Sequence, residues 1–311
     1  MKKIILPLFI LAFAGQIFAQ DEAIFSHYNI TPILINPAVA GFDNAYQLQF
    51  NARAQWTGFP DAPTTFGIMY NGPVGNTFGL GLGLRTEKAA QLNRLRGQLN
   101  FAFRFPFSEN FKFGVGFTTE FQQVQLDNAF MGSSFYQEGD QIVENAINGQ
   151  REFDAALGFW GEWNERTYVG LSFTNLIGAR LDEIVTNNST ETPFQYYLLT
   201  FGHRFDVNDY FGLEPSVLIR QVRNSPFQID FNLKASFLDD ERLVAGVSYR
   251  TLGTFGVLLG TKVSKFQLFY TYDVSFQQFQ QFNAGSHEVT VAFNFIRKNK
   301  IGYNRPDSGT N

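Results

Sequence analysis

The sequence predicts an all-β protein: a transmembrane antiparallel β-barrel of about fourteen strands, preceded by a short N-terminal plug or latch segment. Three observations carry this. From about residue 46 the dominant hydrophobic period is two, the period of strands. Aromatic residues reach 17%, with 37 Phe, while charged residues are also only 17%, below the roughly 25% of soluble domains. The chain opens with an export-type leader, yet no apolar run of about 18 residues follows it. Only helices and closed barrels satisfy their backbone in lipid, so the barrel remains.

Taken in order, Lys2 and Lys3 form a positive start and Ile4 to Phe13 an apolar run. Ala14-Gly15-Gln16-Ile17-Phe18-Ala19 ends in a small residue. Residues 1–19 therefore read as a signal peptide cleaved after Ala19. Residues 20–45 do not alternate and carry Pro32 and Pro37. They are a plug or latch entering the lumen, a periplasmic docking segment, or a packed tail that seals the barrel. Asn36-Pro37 initiates a turn, and Gly41 suits a backbone angle that other residues resist.

Residues 46–295 read as the barrel. Strands are expected near 46–56, 64–71, 77–87, 92–106, 111–127, 152–163, 167–176, 194–205, 210–221, 226–237, 242–250, 254–261, 264–273 and 286–295. In the first, Tyr46, Leu48, Phe50, Ala52, Ala54 and Trp56 share one face, and Gln47, Gln49, Asn51, Arg53 and Gln55 the other. The same alternation recurs in Phe227, Ile229, Phe231 and Leu233 against Gln228, Asp230, Asn232 and Lys234. A soluble sandwich would also alternate, with its apolar face inside. The barrel is preferred because the apolar faces exceed what one core needs, and because the polar faces mix Gln, Asn, Gly and both charges, as a barrel interior does.

An even count returns both termini to one side. The connections expected there, Gly72–Asn76, Phe107–Asn110, Asn164–Arg166, Asp206–Asp209, Leu238–Glu241 and Thr261–Val263, are short and mostly rich in turn residues. The alternate set includes the long polar stretches Asn128–Gln150, Ile177–Pro193 and Val274–Gly285, as extracellular loops should be. Residues 296–311 form a periplasmic tail carrying Arg297, Lys298, Lys300 and Arg305, either a solvated end or a contact for periplasmic partners.

Several function classes are excluded. A net charge of -4 and a pI near 5.5 argue against nucleic-acid binding. The absence of cysteine removes disulfides, thiolate metal sites and a Cys nucleophile. The three histidines cannot share a catalytic or metal site, because His203 lies near the periplasmic end of its strand, His287 starts a strand at the extracellular end, and His27 lies outside the barrel. Gly79, Gly81 and Gly83 are strand alternation beneath leucines, with no helix after them, so they are no phosphate loop. No enzyme activity and no cofactor are expected. The inward charges are nearly balanced: Arg53, Arg85, Arg96, Arg104, Arg220, Lys234, Arg250 and Lys265 against Glu120, Asp154, Glu162, Glu214, Asp230, Asp273 and Glu288. Balance suggests paired walls rather than a field of one sign. Trp56, on the lipid-facing parity, suits an aromatic girdle, and the Thr57–Pro63 loop is available to a partner.

Three N-terminal blocks stand out: Phe25-Ser26-His27-Tyr28, then Asn36-Pro37-Ala38-Val39-Ala40-Gly41, then Arg53-Ala54-Gln55-Trp56-Thr57-Gly58 followed by Ala62-Pro63-Thr64-Thr65. Leu213-Glu214-Pro215-Ser216, Ala245-Gly246-Val247-Ser248-Tyr249-Arg250 and Gly285-Ser286-His287-Glu288 follow later. In this the chain resembles the PorP/SprF family of Bacteroidetes outer-membrane proteins over essentially the whole mature sequence. His27, where the family usually has Gln, and the long 128–150 loop are departures. The resemblance implies an accessory role in type IX secretion and, in gliding bacteria, in gliding motility. The partners it implies are a secreted surface protein bound through its C-terminal sorting domain, other secretion components, and outer-membrane lipids. It marks Phe25, Tyr28, Asn36, Pro37, Gly41, Arg53, Trp56, Gly58, Pro63, His287 and Glu288 as motif positions and partner-binding candidates. The alternative is a passive or substrate-specific pore.

Overall fold

The computed structural model describes residues 25–127, 144, 147–180, 196–221, 227–251, 253–276 and 283–296. The leader, most of the 128–150 loop and the basic tail lie outside them. The strands are β1 Ala45–Ala54, β2 Thr64–Val74, β3 Phe78–Ala89, β4 Leu92–Pro106, β5 Phe111–Leu126, β6 Gln150–Trp163 and β7 Thr167–Phe173 with a short continuation Ala179–Arg180. They continue with β8, in two pieces Tyr197–His203 and Phe205–Asn208, β9 Phe211–Gln221, β10 Gln228–Phe237, β11 Leu243–Arg250, β12 Thr254–Val263, β13 Phe266–Ser275 and β14 Ser286–Ile296.

Sixteen stretches of strand thus make fourteen staves, since the second pieces of β7 and β8 prolong their own strands. Every neighbouring pair is antiparallel, and β14 returns to β1 over Ala45↔Ile296 through Ala54↔His287, which closes the barrel. Closure leaves no free sheet edge.

The alternation resolves the choice between barrel and sandwich. Apolar Phe66 keeps 60% of its surface exposed and Leu82 56%, whereas polar Gln49 has none. The apolar face therefore looks outward to lipid and the polar face inward. Aromatic pairs gather at the short-turn end of the outer wall: Phe111 and Trp163 at 4.6 Å, Phe211 and Phe237 at 5.2 Å, and Phe266 and Phe293 at 5.6 Å between ring centres. That belt is where a barrel meets the lipid headgroups.

Turns 75–77, 107–110, 164–166, 209–210, 238–242 and 264–265 lie at one end, together with both barrel termini. Left-handed angles at Gly75, Asn164, Leu238 and Ser264 tighten them. Several expected limits move, among them that of β2, which runs on to Val74 through most of the expected Gly72–Asn76 turn. β1 stops at Ala54, and Trp56 has a φ of 47°, which breaks the alternation, so the lipid-facing parity does not extend to it. β12 runs on to Val263, which puts Lys265 in an exposed turn, 5.5 Å over the Phe295 ring, and not on the lumen wall. Phe205–Asn208 belongs to a strand, so that turn shortens to Asp209–Tyr210.

Candidate functional site

Residues 25–44 run through the lumen, from the long-loop half at Phe25 to the short-turn end at Asn44. Three single 3-10 turns, Ser26–Asn29, Pro32–Leu34 and Pro37–Val39, shape the path. Pro32 and Pro37 each open their turn, where the missing N–H is no loss. Asn36 caps the last one: its side-chain oxygen accepts from Ala38 N–H at 3.0 Å. Its Nδ2 donates to the carbonyls of Phe159 at 2.9 Å and Leu171 at 3.3 Å, on the wall.

One wall holds the segment by charge. The Glu288 carboxylate accepts from the backbone N–H of Ser26 at 2.7 Å and of His27 at 3.0 Å. Arg53 donates to Glu288 at 2.7 Å, to Ser26 Oγ at 2.8 Å and to Asp273 at 3.0 Å. Arg250 donates to the same Ser26 oxygen at 2.7 Å and to Asp230 at 3.1 Å. The Ser26 hydroxyl itself donates to Asp273 at 3.0 Å, so its one proton and both lone pairs are used. Tyr28 donates to Asp230 at 3.2 Å and accepts from Asn232 at 3.0 Å, and burial raises its pKa further beyond the ordinary phenol value. Removing one member of such a buried network strands the others, at a cost of about 3–5 kcal/mol.

The opposite wall holds it by close approach. A Cβ on Gly79 would overlap the Ala40 carbonyl oxygen, on Gly116 the Ala38 nitrogen, and on Gly158 the Asn36 side chain. Conversely, a Cβ on Gly41, at φ 61°, would sit 2.5 Å from the Gly72 carbonyl carbon. Between these walls Tyr28 and Ile35 pack on Leu198 and Leu218, Ile33 and Ala40 on Met69 and Ala102, and Ala38 and Phe42 on Trp160.

The structure corrects the expectation for His27. It lies inside the barrel, fully buried, with Nδ1 2.6 Å from Thr290 Oγ1 and Nε2 2.7 Å from Thr271 Oγ1. Desolvation holds its pKa below the ordinary value, outweighing the pull of Glu288. His203 bonds Thr167 at 2.6 Å and His287 bonds Tyr270 at 2.7 Å, so the three rings occupy three places. Among the described residues no group of three or more His, Asp or Glu is arranged to hold a metal ion.

Of the expected positions, Phe25, Tyr28, Asn36, Pro37, Gly41, Arg53 and Glu288 meet in the lumen. Trp56, Gly58, Pro63 and His287 lie at the long-loop mouth. There Trp56 N–H donates to Ser286 Oγ at 3.1 Å, Thr57 N–H to the Gly285 carbonyl at 2.8 Å, and Gln55 N–H to the Pro63 carbonyl at 2.9 Å, while Gly58 takes a φ of 90°. The first two bonds staple the loop across the β1–β14 seam, and the third closes the loop's own base between β1 and β2. The sequence alone does not single out Ser26, Thr271, Thr290 or the three lumen-facing glycines 79, 116 and 158 as members of the site. The glycines carried a signal, since they share the inward parity, but nothing in the sequence says what approaches them. Most inward charges are paired along the wall, among them Arg96 with Glu120 at 2.9 Å and Lys234 with Glu214 at 2.8 Å.

The family described as type IX secretion system membrane protein PorP/SprF matches residues 17–293 of the chain. No curated protein matches it. Among solved structures, the toluene transporter TbuX of Ralstonia pickettii is similar over 84% of this chain and 92% of its own, at 8% identity and a TM-score of 0.52. The monoaromatic hydrocarbon channel CymD is similar over 88% and 92%, at 10% identity and 0.50. The KdgM porin covers 80% and 99%, at 11% identity and 0.42. At these identities the likeness to the first two is one of fold.

Proposed function

We propose that this chain, which belongs to the PorP/SprF family of type IX secretion system membrane proteins, is a stoppered outer-membrane anchor for a secreted surface protein. It binds the C-terminal sorting domain of that protein and works by binding alone, with no bond chemistry. In a gliding bacterium the same act supports motility. One observation carries the reading: residues 25–44 fill the lumen, fixed by a buried ion network on one side and a glycine bed on the other. A barrel so filled offers partners its outer wall and its long-loop mouth rather than a passage. The pore alternative needs that segment to leave.

Affinity purification of the tagged protein from native outer membranes, with mass spectrometry of what accompanies it, tests this. Recovery of one large secreted protein with a C-terminal sorting domain supports the anchor. Recovery of the barrel alone under gentle extraction removes it.

A further inference from the structure

Above the lumen segment, in the long-loop half, lies a cavity of about 120 Å³ that the proposed anchoring role leaves without a task. Phe25, Ile33 and Ile35 face it from the lumen segment, and Ala155 and Leu198 from the wall. Arg85, Arg96 and Arg220 also line it, against Glu120 and Asp154. The Asp154 carboxylate is engaged by backbone N–H groups, from Ala155 at 2.7 Å, Ile177 at 3.0 Å and Gly178 at 3.2 Å. Glu120 meets Arg96 at 2.9 Å. Cationic donors therefore outnumber the acids around an apolar floor.

Two features mark the cationic side as built to receive an anion. Arg85 and Arg96 are direct cross-strand partners in the β3–β4 register, and both face inward. Like charges placed opposite one another destabilise a sheet; Glu120, 2.9 Å from Arg96, offsets part of that cost, and an anion bound between the two arginines offsets more. Arg85 also lies 6.0 Å over the Phe25 ring, which sets its guanidinium beside the apolar residues that line the cavity. Arg96 keeps Gln122 at 2.6 Å and Arg220 keeps Gln228 at 2.5 Å. A guanidinium has five N–H donors in a fork matched to a carboxylate, so a ligand joins these bonds rather than replacing them.

We infer that this cavity binds the free carboxylate end of an apolar peptide, with the carboxylate between Arg85 and Arg96 and the terminal side chain against Phe25, Ile35 and Leu198. Its volume is near the roughly 150 Å³ that accommodates a benzene-sized group, which suits one terminal apolar residue. The inference rests on the anchor reading, because it makes the end of a bound protein chain the ligand.

The test uses the full protein in detergent micelles and two probes, acetyl-Ala-Ala-Leu as the free acid and as its C-terminal amide. Isothermal titration calorimetry at low salt should show binding of the acid and at least tenfold weaker binding of the amide. Arg85→Gln and Arg96→Gln should each weaken the acid at least tenfold, Arg96→Lys less, with heat-modifiable migration on gels showing that each variant keeps its barrel. Equal affinity for acid and amide, or no binding of the acid at millimolar concentration, overturns the inference. If the secreted partner co-purifies but the acid does not bind, the anchor stands and the cavity assignment falls. If the acid binds and no partner is recovered, the anchor falls and the carboxylate site stands.

Discussion

Replacing Arg53 by Met tests the pinning of the lumen segment. The substitution keeps much of the volume and removes donors to Glu288, Asp273 and Ser26. Glu288, fully buried, keeps only the Ser26 and His27 amides and the His27 ring beside it, and Asp273 keeps Ser26 and Arg250. Uncompensated charge of this kind costs about 3–5 kcal/mol. The β1 strand carrying Arg53 is paired on both sides over most of its length, so the barrel holds. The segment yields instead, because leaving the lumen returns its polar groups to water. At about 1.4 kcal/mol per tenfold, opening rises roughly 100- to 4,000-fold. Hydrogen exchange followed by mass spectrometry reads that change directly. Peptides over 25–40 should exchange faster by this factor, while peptides from β2 to β13 stay as protected as in the wild type. Unchanged exchange over 25–40 would refute the pinning. A rise spread over all strands would show that Arg53 holds the barrel and not the segment.

Other predictions follow from the same geometry. Gly116→Val places a side chain where Ala38 and Pro37 now sit, so residues 25–40 should become protease-sensitive while the protein remains heat-modifiable on gels. Asn36→Ala removes one cap and two donated bonds, and should lower stability by about 1–3 kcal/mol, seen as a lower melting temperature in detergent. His27 is depressed by burial, with Glu288, Arg53, Asp273, Thr271 and Thr290 facing it. Its stabilising contribution is complete above the unfolded histidine pKa of about 6.5 and is lost as pH falls through that value towards the lower folded one. Protection factors over 25–30, taken against the intrinsic exchange rate at each pH, should therefore fall below about pH 6.5, and His27→Gln should flatten that dependence. Deleting residues 128–146 should weaken partner retention in pull-downs with the barrel still folded, and normal retention would remove that loop from the mechanism.

Much of the barrel was legible because a strand writes its two environments into alternate residues. Gln47 to Arg53 against Tyr46 to Ala52 needs no tertiary knowledge to read. The strand ends were less so, since Trp56 continues the apolar parity by composition while its backbone angle has already left the strand. Lys265 misled for the same reason, one step past a turn. The lumen site was only half legible. Arg53, Asp273 and Glu288 declared their inward side, but parity cannot say which of many inward charges meet across a barrel. The sequence does not place His27 in the lumen, because a segment without periodicity gives no sign of where it packs. The glycines at 79, 116 and 158 look like ordinary small residues until the chain from Asn36 to Ala40 is laid against them.

The stoppered lumen is the centre of the account, and single-channel recording tests it most directly. The purified protein, inserted into planar bilayers, should show no steady conductance, whereas a variant lacking residues 25–40 should conduct. Stable open-channel conductance from the intact wild-type chain would contradict the account and return the pore reading.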